Sequence, residues 1–431
     1  MSKKISPYLV ILIAFLSVIL LGSILLVLPI SVRKGAHLDY VDAFFISTSA
    51  ICVTGLSTID VTTTLTPFGK IVLMILIQAG GLGLVTIGIF FLSMLGFQFG
   101  VKERVLIKES LNQNSLSGLV RLVKTIFLIS LVIEVFGAII NMFVFCPKLG
   151  FWKGLGISVF HSISSFNNAG FDILSGESLV PYQTNVLLLL NTAFLIILGG
   201  IGFVVILDIV NFRKNHHFSI HTKIVVITTL ILLVIGTLLF KLTSPSLSWL
   251  DSFFQAVSVR TAGFNTVDLN SLNDSTILLM DVFMFIGCSP VSTGGGIKTT
   301  TLFVIVLSIY SFATGKPCIA FKRKISDKYV LKAFWVVALS ASFIIFMAFM
   351  ILCFSDFNIK QVTFECFSAF ATVGLSLGIT SELNVICKLI LCVGMFLGRL
   401  GPLTIASLFN TRWNKDTEGS IKYVEEKIMI G

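Results

Sequence analysis

Four short stretches of this sequence are suited to coordinating a bare cation with backbone carbonyl groups. Each contains one glycine after small or β-branched residues, and the four glycines are Gly55, Gly170, Gly263 and Gly374. A phenylalanine lies ten residues before each glycine, and a large apolar residue follows it. Glycine allows dihedral angles that other residues avoid. Each stretch can therefore turn several carbonyl groups to one side, and a ring of such groups replaces the water shell of a cation.

The residues around the four glycines are the predicted ion-binding residues. They are Cys52, Val53, Thr54, Gly55, Asn167, Asn168, Ala169, Gly170, Thr261, Ala262, Gly263, Ala371, Thr372, Val373 and Gly374. A filter built on charged side chains would need a ring of carboxylates, but only Glu365 lies between a phenylalanine and its glycine. Glu365 precedes Gly374 by nine residues, so we expect it to lie too far back to bind the ion.

The elements that must position these glycines form a repeating unit. A long apolar segment precedes each stretch: Tyr8–Leu28, Leu119–Phe145, Ile224–Phe240 and Ala333–Phe354. Another follows each: Ile71–Phe97, Val186–Phe212, Ile277–Phe312 and Val385–Phe409. Ten residues of helix rise about 15 Å, half of a hydrocarbon core of about 30 Å. Each stretch is therefore predicted to enter the membrane as a half-helix and to turn back.

The repeats divide the chain into four tandem membrane–pore–membrane units. Their predicted bounds are 5–100 with a pore loop at 38–58, 117–214 with 152–173, 220–316 with 248–266, and 328–412 with 358–378, before a cytoplasmic C-terminal tail at 413–431. The sequence thus predicts an all-α integral membrane protein. Eight spanning helices and four re-entrant half-helices would surround a pseudo-fourfold pore.

The composition agrees with a membrane protein. Hydrophobic residues make up 55% of the chain and charged residues 12%, whereas soluble domains average about 25% charged residues. The net charge of +10 lies in short loops between apolar segments, so it does not indicate nucleic-acid binding. The basic loops also predict that both termini are cytoplasmic and that the half-helices enter from outside. The eight cysteines show no metal-ligand spacing and are interpreted as small packing residues.

The third repeat contains a loop that interrupts its second helix, predicted at 287–299. Pro290 and the run Gly294–Gly296 exceed what a packing kink needs, and non-helical backbone at membrane depth must be buried in protein or line water. The predicted gate residues are Pro290, Ser292, Thr293, Gly294, Gly295, Gly296, Lys298 and Arg399. For the other second helices, the glycines at 80–83, 199–202 and 398–401 indicate either close helix packing or a role in the pore.

The charged residues inside the apolar segments have competing interpretations. Arg399 is expected at a gate or pore barrier, with a structural ion pair to Glu134, Asp208 or Asp281 as the alternative. Arg260 is expected to brace the filter from behind, and Lys298 to stabilise the interrupted loop. Asp42 and Asp251 are expected to stabilise the starts of half-helices, and His161 to be a packing residue.

Taken together, these motifs resemble the potassium-translocating membrane subunit of the bacterial Ktr/Trk/HKT superfamily, the Ktr type in particular. The matching motifs are CVTGL (52–56), NNAGF (167–171), RTAGF (260–264), ATVGL (371–375), STGGGIKT (292–299) and GRLGP (398–402). The resemblance implies K⁺ as the transported ion and a homodimer in the bacterial plasma membrane. It also implies a cytosolic regulatory ring that binds ATP or ADP, a gate formed by the third-repeat loop, and Arg399 near that loop. In a related branch serine replaces the first-repeat glycine and sodium is favoured, so Gly55 supports potassium.

Several alternatives stay open at this point. The nearest is a sodium-selective or nonselective cation pathway, and sodium could also assist K⁺ uptake as a symported ion. Another is the potassium subunit of an ATP-driven pump. A membrane enzyme such as a lipid-modifying transferase would need clustered His, Asp or Glu, which the sequence does not show. No cofactor bound by this chain is predicted, since Gly294–Thr299 lacks the spacing of a phosphate loop. The tail residues Ile421–Gly431 could pack on a second protomer.

Overall fold

The four predicted repeats form four copies of one helical unit. The structure, a computed structural model, describes residues 7–95, 97, 100, 104–105, 118–174, 176–212 and 216–402. Each unit contains a long first helix, a short helix and a second helix. The first helices are Pro7–Val27, Leu119–Leu149, Ile220–Thr243 and Asp327–Phe354. The short helices are Tyr40–Cys52, Phe151–Phe166, Trp249–Ser258 and Ile359–Ala371.

The second helices of the first three repeats are interrupted, and that of the fourth ends at Leu400, two residues before the described part of the chain ends. They comprise Pro67–Leu82 with Leu84–Met94, Val186–Ile201 with Phe203–Val210, Asp274–Phe285 with Thr299–Thr314, and Val385–Leu400. Smaller elements complete the described structure: a helix at Val61–Thr64, 3₁₀ turns at Val180–Tyr182, Leu269–Ser271 and Ile379–Glu382, and an antiparallel hairpin of Ile319–Ala320 with Arg323–Lys324. The predicted tail at 413–431 lies outside the described residues.

The first helices carry the membrane signal. All four are long and apolar enough to cross a bilayer, and the bent second helices of repeats one and two also qualify when each pair counts as one span. Only 28–44% of the most apolar window of each first helix is buried inside the protein. The outward faces expose residues such as Leu21, Ile24 and Ile345. Continuous apolar surface of this extent is expected against lipid rather than water.

The breaks in the second helices differ from the prediction, which assigned a break to the third repeat alone. The second helix bends by 99° at Gly83 in repeat one and by 98° at Gly202 in repeat two. These two glycines have φ values of 86° and 96°, in the region that disfavours side chains. A single glycine therefore suffices to turn the chain. The third repeat differs in inserting thirteen residues, 286–298, between its two helical pieces.

The short helices lie at the centre of the molecule. Phe45 and Phe364, which begin two of the repeated motifs, have no exposed surface, and Phe160 is 3% exposed.

Another set of repeated contacts supports the short helices from beneath. A Cβ atom added to Gly80, Gly199 or Gly398 would collide with the carbonyl oxygen of Ile51, Phe166 or Phe370 near the end of the short helix of the same repeat. Glycine is required there because the second helix passes directly against that end.

Candidate functional site

The C-terminal ends of the short helices are turned by the same backbone contact in each repeat. The carbonyl of Ser49 accepts a hydrogen bond from the N–H of Thr54 at 2.8 Å. The same bond joins Ser164 to Ala169 and Ser368 to Val373, each at 2.8 Å. In repeat three Ser258 takes this role, with the N–H of Ala262 at 2.9 Å. The matched sequence position there holds Val257, because the third short helix ends earlier relative to its glycine.

The return from each short helix passes through the left-handed region of backbone space. Val53, Asn168 and Thr372, each two residues before a glycine, have φ values of 58°, 57° and 54°, and Thr261 has a φ of 98°. A β-branched residue rarely adopts positive φ. Such strain is characteristic of functional sites, where the surrounding structure holds it.

The four predicted filter glycines form a closed ring. A Cβ atom added to Gly55 would collide with the carbonyl oxygen of Ala169 in repeat two. The relation continues around the ring, from Gly170 to the carbonyl of Ala262, from Gly263 to that of Val373, and from Gly374 back to that of Thr54. Each glycine therefore packs on the residue that precedes the glycine of the next repeat. The motifs therefore share one axis, and four carbonyl-bearing segments meet around it. These segments, 52–55, 167–170, 261–263 and 371–374, are called the filter segments after their predicted role.

A cavity of about 550 Å³ opens beside this ring. All four filter glycines line it, and so do four acidic residues: Asp60, Asp172, Glu177 and Asp268. No lysine or arginine is among the lining residues of the described structure. Hydrogen bonds from Thr63 and Thr62 outweigh the opposing effect of partial burial and lower the pKa of Asp60. The cavity thus forms a vestibule lined by acidic side chains, and Lys70 lies close enough to interact electrostatically with Asp60 and Asp172.

Four other predicted ion-binding residues, Cys52, Asn167, Asn168 and Ala371, are not part of these ring contacts. Cys52 and Ala371 are the last residues of their short helices and are fully buried. The side chain of Asn167 joins repeats one and two: its Nδ2 donates to Gln78 Oε1 on the second helix of repeat one at 2.9 Å and to Glu134 Oε1 on the first helix of repeat two at 3.1 Å. Asn168 points to the interrupted loop, with its Nδ2 donating to Thr293 Oγ1 at 2.9 Å. The hydrogen bond between Gln78 and Glu134 has no signal in the sequence.

The interrupted loop of repeat three lies against the filter segments. A backbone bridge between Ile286 and Ile297 closes its base. The N–H of Gly295 donates to Thr372 Oγ1 at 2.9 Å, and a Cβ atom added to Gly294 would collide with Thr261 Oγ1. Together with the Asn168 bond, these contacts join the loop to the filter segments of repeats two, three and four.

The loop is also tied to the second helix of repeat two. The N–H groups of Ser289 and Thr293 donate to the carbonyls of Gly200 and Gly199 at 3.0 and 3.3 Å. The carbonyl of Val291, next to Pro290, accepts from the N–H of Phe203 at 2.9 Å. Inside the loop, Ser292 Oγ donates to the carbonyl of Ser289 at 2.6 Å. Gly296 has a φ of 66° and passes against Gly287.

Two cationic side chains bind backbone carbonyls at this level. Arg399 donates from Nη1 to the carbonyl of Thr293 and from Nη2 to those of Gly80 and Gly81. Lys298 Nζ donates to the carbonyl of Gly294 at 2.7 Å. Arg399 does not form the alternative ion pair with Glu134, Asp208 or Asp281. Glu134 binds Gln78 and Asn167 instead, and Asp208 binds Thr222 Oγ1 at 2.6 Å.

Arg260 lies behind the third filter segment and is 6% exposed. Its carbonyl accepts from Cys288 Sγ at 3.3 Å, and Cys288 Sγ also lies 2.8 Å from Thr261 Oγ1. Arg260 and Cys288 line a cavity of about 10 Å³ with Thr229. The arginine side chain is therefore enclosed beside this segment, and its Nε has no hydrogen-bond partner within the described structure. Its bracing role stays a prediction.

The remaining polar residues stabilise the scaffold. Asp42 pairs with Lys388 at 2.6 Å. Asp251 accepts from Thr266 Oγ1 at 2.7 Å and from Gln183 Nε2 at 2.9 Å, which ties the short helix to the segment after Gly263. His161 Nε2 lies 2.9 Å from Thr192 Oγ1. Glu365 accepts from Thr380 Oγ1 at 2.9 Å. All eight cysteines are free.

Comparison with known proteins agrees with this geometry. Residues 6–417 match the profile of the TrkH family, described as cation transport proteins. The chain is 40% identical to the "Ktr system potassium uptake protein B" of Bacillus subtilis, over 99% of this chain and 97% of that protein. It is 36% identical to the "Potassium/sodium uptake protein NtpJ" of Enterococcus hirae, over 100% of this chain and 98% of that protein.

The fold has a match among solved structures. The crystal structure of the potassium transporter TrkH from Vibrio parahaemolyticus superposes with a TM-score of 0.74 at 19% identity. The match covers 95% of this chain and 86% of that one. It supports the repeated helical fold, with short helices that turn back around a central axis. The chain therefore belongs to the TrkH family of cation transport proteins, which are transporters and not enzymes.

Proposed function

We propose that this chain takes up K⁺ across the plasma membrane through the carbonyl groups around the ring of four glycines. The observation that carries the proposal is the closed set of contacts from Gly55 through Gly170 and Gly263 to Gly374. No side chain fits between neighbouring segments, so main-chain oxygens are the groups that can face the axis. The relatives from Bacillus subtilis and Enterococcus hirae are named for potassium uptake, which supports this cargo.

The electrostatics of the short helices favour a monovalent cation. The C-terminal end of a helix carries partial negative charge, and all four short helices end immediately before the ring. The acidic vestibule beside the glycines raises the cation concentration at its entrance. A divalent ion would need stronger ligands such as carboxylates, and no carboxylate lies on the four segments between the short helices and their glycines. Dehydrated K⁺ suits neutral carbonyl oxygens.

The interrupted loop, 287–299, is proposed as the gate. Its support is the set of hydrogen bonds that join it to Asn168 and Thr372 of the filter and to Arg399 of repeat four. Removing the loop from the axis would require these bonds to break together. A transition of this kind has two discrete arrangements, and it can therefore respond to a signal from elsewhere in the protein.

That signal is proposed to come from a cytosolic nucleotide-binding ring on a homodimer of this chain. Relatives 40% identical to it are named as parts of a "Ktr system", which supports a partner subunit. The hairpin between repeats three and four and the start of the next helix offer an exposed docking surface of positive charge: Lys316, Lys322, Arg323, Lys324, Lys328 and Lys332. This assignment places the hairpin and both termini on the cytoplasmic side. The predicted dimer contact at Ile421–Gly431 lies outside the described residues.

Sodium is the second candidate cargo, either alone or together with K⁺. The specific support is the relative from Enterococcus hirae, which is named for both ions. The two candidates differ in the ion that saturates the pathway. A carbonyl ring that selects K⁺ carries Na⁺ poorly, because the smaller ion loses more hydration energy than the ring returns.

Flux into liposomes tests the proposed function. Purified protein should pass K⁺ down its gradient in preference to Na⁺, and Gly55→Ser should reduce that preference because its side chain would collide with the carbonyl of Ala169. Gly88→Ser is the matched control, since an added Cβ at Gly88 meets no atom within 4 Å. Selectivity of Gly55→Ser equal to that of the unmodified protein would contradict the filter assignment. Equal K⁺ and Na⁺ flux in the unmodified protein would favour the second candidate.

A further inference from the structure

Four serines in the last turns of the short helices contact the filter segments through their hydroxyl groups. They are Ser49, Ser164, Ser258 and Ser368, and none has any exposed surface. A serine inside a helix usually donates to the carbonyl four residues earlier. These four hydroxyls instead bond forward, to backbone groups six or seven residues later in the sequence. Their hydroxyls are therefore committed to the filter rather than to the helix.

The hydroxyls bond in two different ways. In repeats one and four the serine accepts, since the N–H groups of Gly55 and Gly374 donate to Ser49 Oγ and Ser368 Oγ, each at 3.0 Å. In repeats two and three the serine donates. Ser164 Oγ donates to the carbonyl of Phe171 at 2.9 Å, and Ser258 Oγ donates to that of Phe264. Phe171 and Phe264 are the residues immediately after the filter glycines.

A carbonyl that accepts from a buried serine on the short helix points back toward that helix. A strong hydrogen bond requires the donor to lie along the lone-pair direction of the oxygen. The carbonyls of Phe171 and Phe264 are therefore directed behind the filter and away from the shared axis. In repeats one and four the serine binds the N–H of Gly55 or Gly374 instead. The carbonyls of the next residues, Leu56 and Leu375, are therefore not held back by a bond to that serine.

We infer that the serines are positioning residues that make the outer end of the filter asymmetric, with its ion ligands supplied by repeats one and four. An ion that enters from the vestibule would keep water on the side of repeats two and three until it reaches the glycine ring. This inference rests on the proposed function, because it concerns the same cation pathway. It identifies which side chains set the geometry of the entry site and which repeats contribute ligands.

The two kinds of bond predict different transport defects. Ser49→Ala and Ser368→Ala leave a buried glycine N–H without its acceptor, so the glycine ring should loosen and the K⁺/Na⁺ selectivity ratio should fall about fivefold, as for the loss of one hydrogen bond. Ser164→Ala and Ser258→Ala release a carbonyl that can turn to the axis. These variants should lower the KM for K⁺ about threefold while the selectivity ratio stays within twofold of the unmodified value.

Matched controls lie on the same short helices. Ser47 Oγ donates to the carbonyl of Ile19 and Ser165 Oγ to that of His161. Both serines are fully buried, and neither hydroxyl bonds to a filter segment. Ser47→Ala and Ser165→Ala should change neither KM nor selectivity. Threonine keeps the hydroxyl at these positions. The K⁺/Na⁺ selectivity ratio of Ser49→Thr and the KM for K⁺ of Ser164→Thr should therefore lie closer to the unmodified values than those of the alanine variants. Identical effects from all four filter serines would overturn the inference.

A structure of the unmodified protein with Rb⁺ in place of K⁺ tests the same inference without any variant. Anomalous density is expected on the axis at the glycine ring, and the outer ion is expected off the axis, nearer to repeats one and four. An outer ion on the axis with four equivalent carbonyl ligands would overturn the asymmetry and leave the proposed function intact. Absence of Rb⁺ from the glycine ring at saturating concentration would overturn the proposed function itself.

Discussion

Arg399 and Thr293 join the last repeat to the interrupted loop of the third. The guanidinium donates from Nη1 to the carbonyl of Thr293 and from Nη2 to the carbonyls of Gly80 and Gly81. One side chain therefore bridges repeats one, three and four. Thr293 in turn contacts Asn168 through its hydroxyl, so repeat two is part of the same connection. A planar guanidinium suits this role because its donors lie in a fixed fork.

Replacing this bridge should open the pathway. Arg399→Ala removes charge-assisted hydrogen bonds, each worth about 1.5–3 kcal/mol, and removes a positive charge from beside the proposed cation path. We expect K⁺ flux in liposomes without a regulatory subunit to rise about tenfold or more. Arg399→Lys keeps the charge but cannot bridge both carbonyl sets, so its flux should be intermediate. The exposed Lys34→Ala is the control for loss of charge. Flux equal to or below the unmodified level in Arg399→Ala would contradict the gate.

The bond between Thr372 and Gly295 should hold the loop closed. Thr372→Val removes the acceptor for the Gly295 N–H at nearly constant volume. Loss of about 1 kcal/mol from the closed state should raise basal K⁺ flux about fivefold. The control is Thr228→Val, because Thr228 Oγ1 is buried and has no hydrogen-bond partner within the described structure. Basal flux that stays unchanged in Thr372→Val and Thr228→Val alike would show that this bond does not restrain the loop.

The glycines beneath the short helices should be essential for stability. In Gly80→Ala the new methyl group would collide with the carbonyl of Ile51, and overpacking of this kind costs about 1–3 kcal/mol. Thermal unfolding in detergent should show a lower melting temperature. Gly88→Ala, on the exposed face of the next helix where nothing lies within 4 Å, should be neutral or stabilising by up to about 1 kcal/mol. A melting temperature for Gly80→Ala equal to that of Gly88→Ala would contradict the close contact.

The sequence predicted the parts of this molecule that depend on composition and local backbone chemistry. Gly55, Gly170, Gly263 and Gly374 are recognisable because close approach of backbone permits no other residue type, and the long apolar segments identify the membrane helices. The family assignment is confirmed by the match to the TrkH profile. The filter and gate roles of individual residues stay predictions.

Other features depend on three-dimensional context. Gly83 and Gly202 each bend a helix by almost a right angle, but a single glycine in an apolar segment indicates packing as readily as a break. The carbonyl partners of Arg399 carry no sequence signal, since backbone groups are the same at every residue. In repeat three the carbonyl that accepts from the returning backbone belongs to Ser258 and not to Val257, because the short helix ends earlier relative to its glycine. Fixed offsets from the glycine cannot predict this difference.

The acidic vestibule should set the apparent affinity for K⁺ rather than the maximal rate. Asp60→Asn and Asp268→Asn remove charge from the cavity beside the glycine ring, and asparagine can still cap the turns that begin at these positions. The KM for K⁺ should rise about two- to threefold at low ionic strength and approach the unmodified value near 1 M salt, where the Debye length is about 3 Å.

Because the pKa of Asp60 is lowered, the effect of Asp60→Asn should be the same at pH 5.5 and pH 7.5. The surface variant Asp274→Asn lies outside the vestibule and should leave KM unchanged. A lower maximal rate with unchanged KM in the two vestibule variants, or a KM difference that vanishes at pH 5.5, would contradict this role.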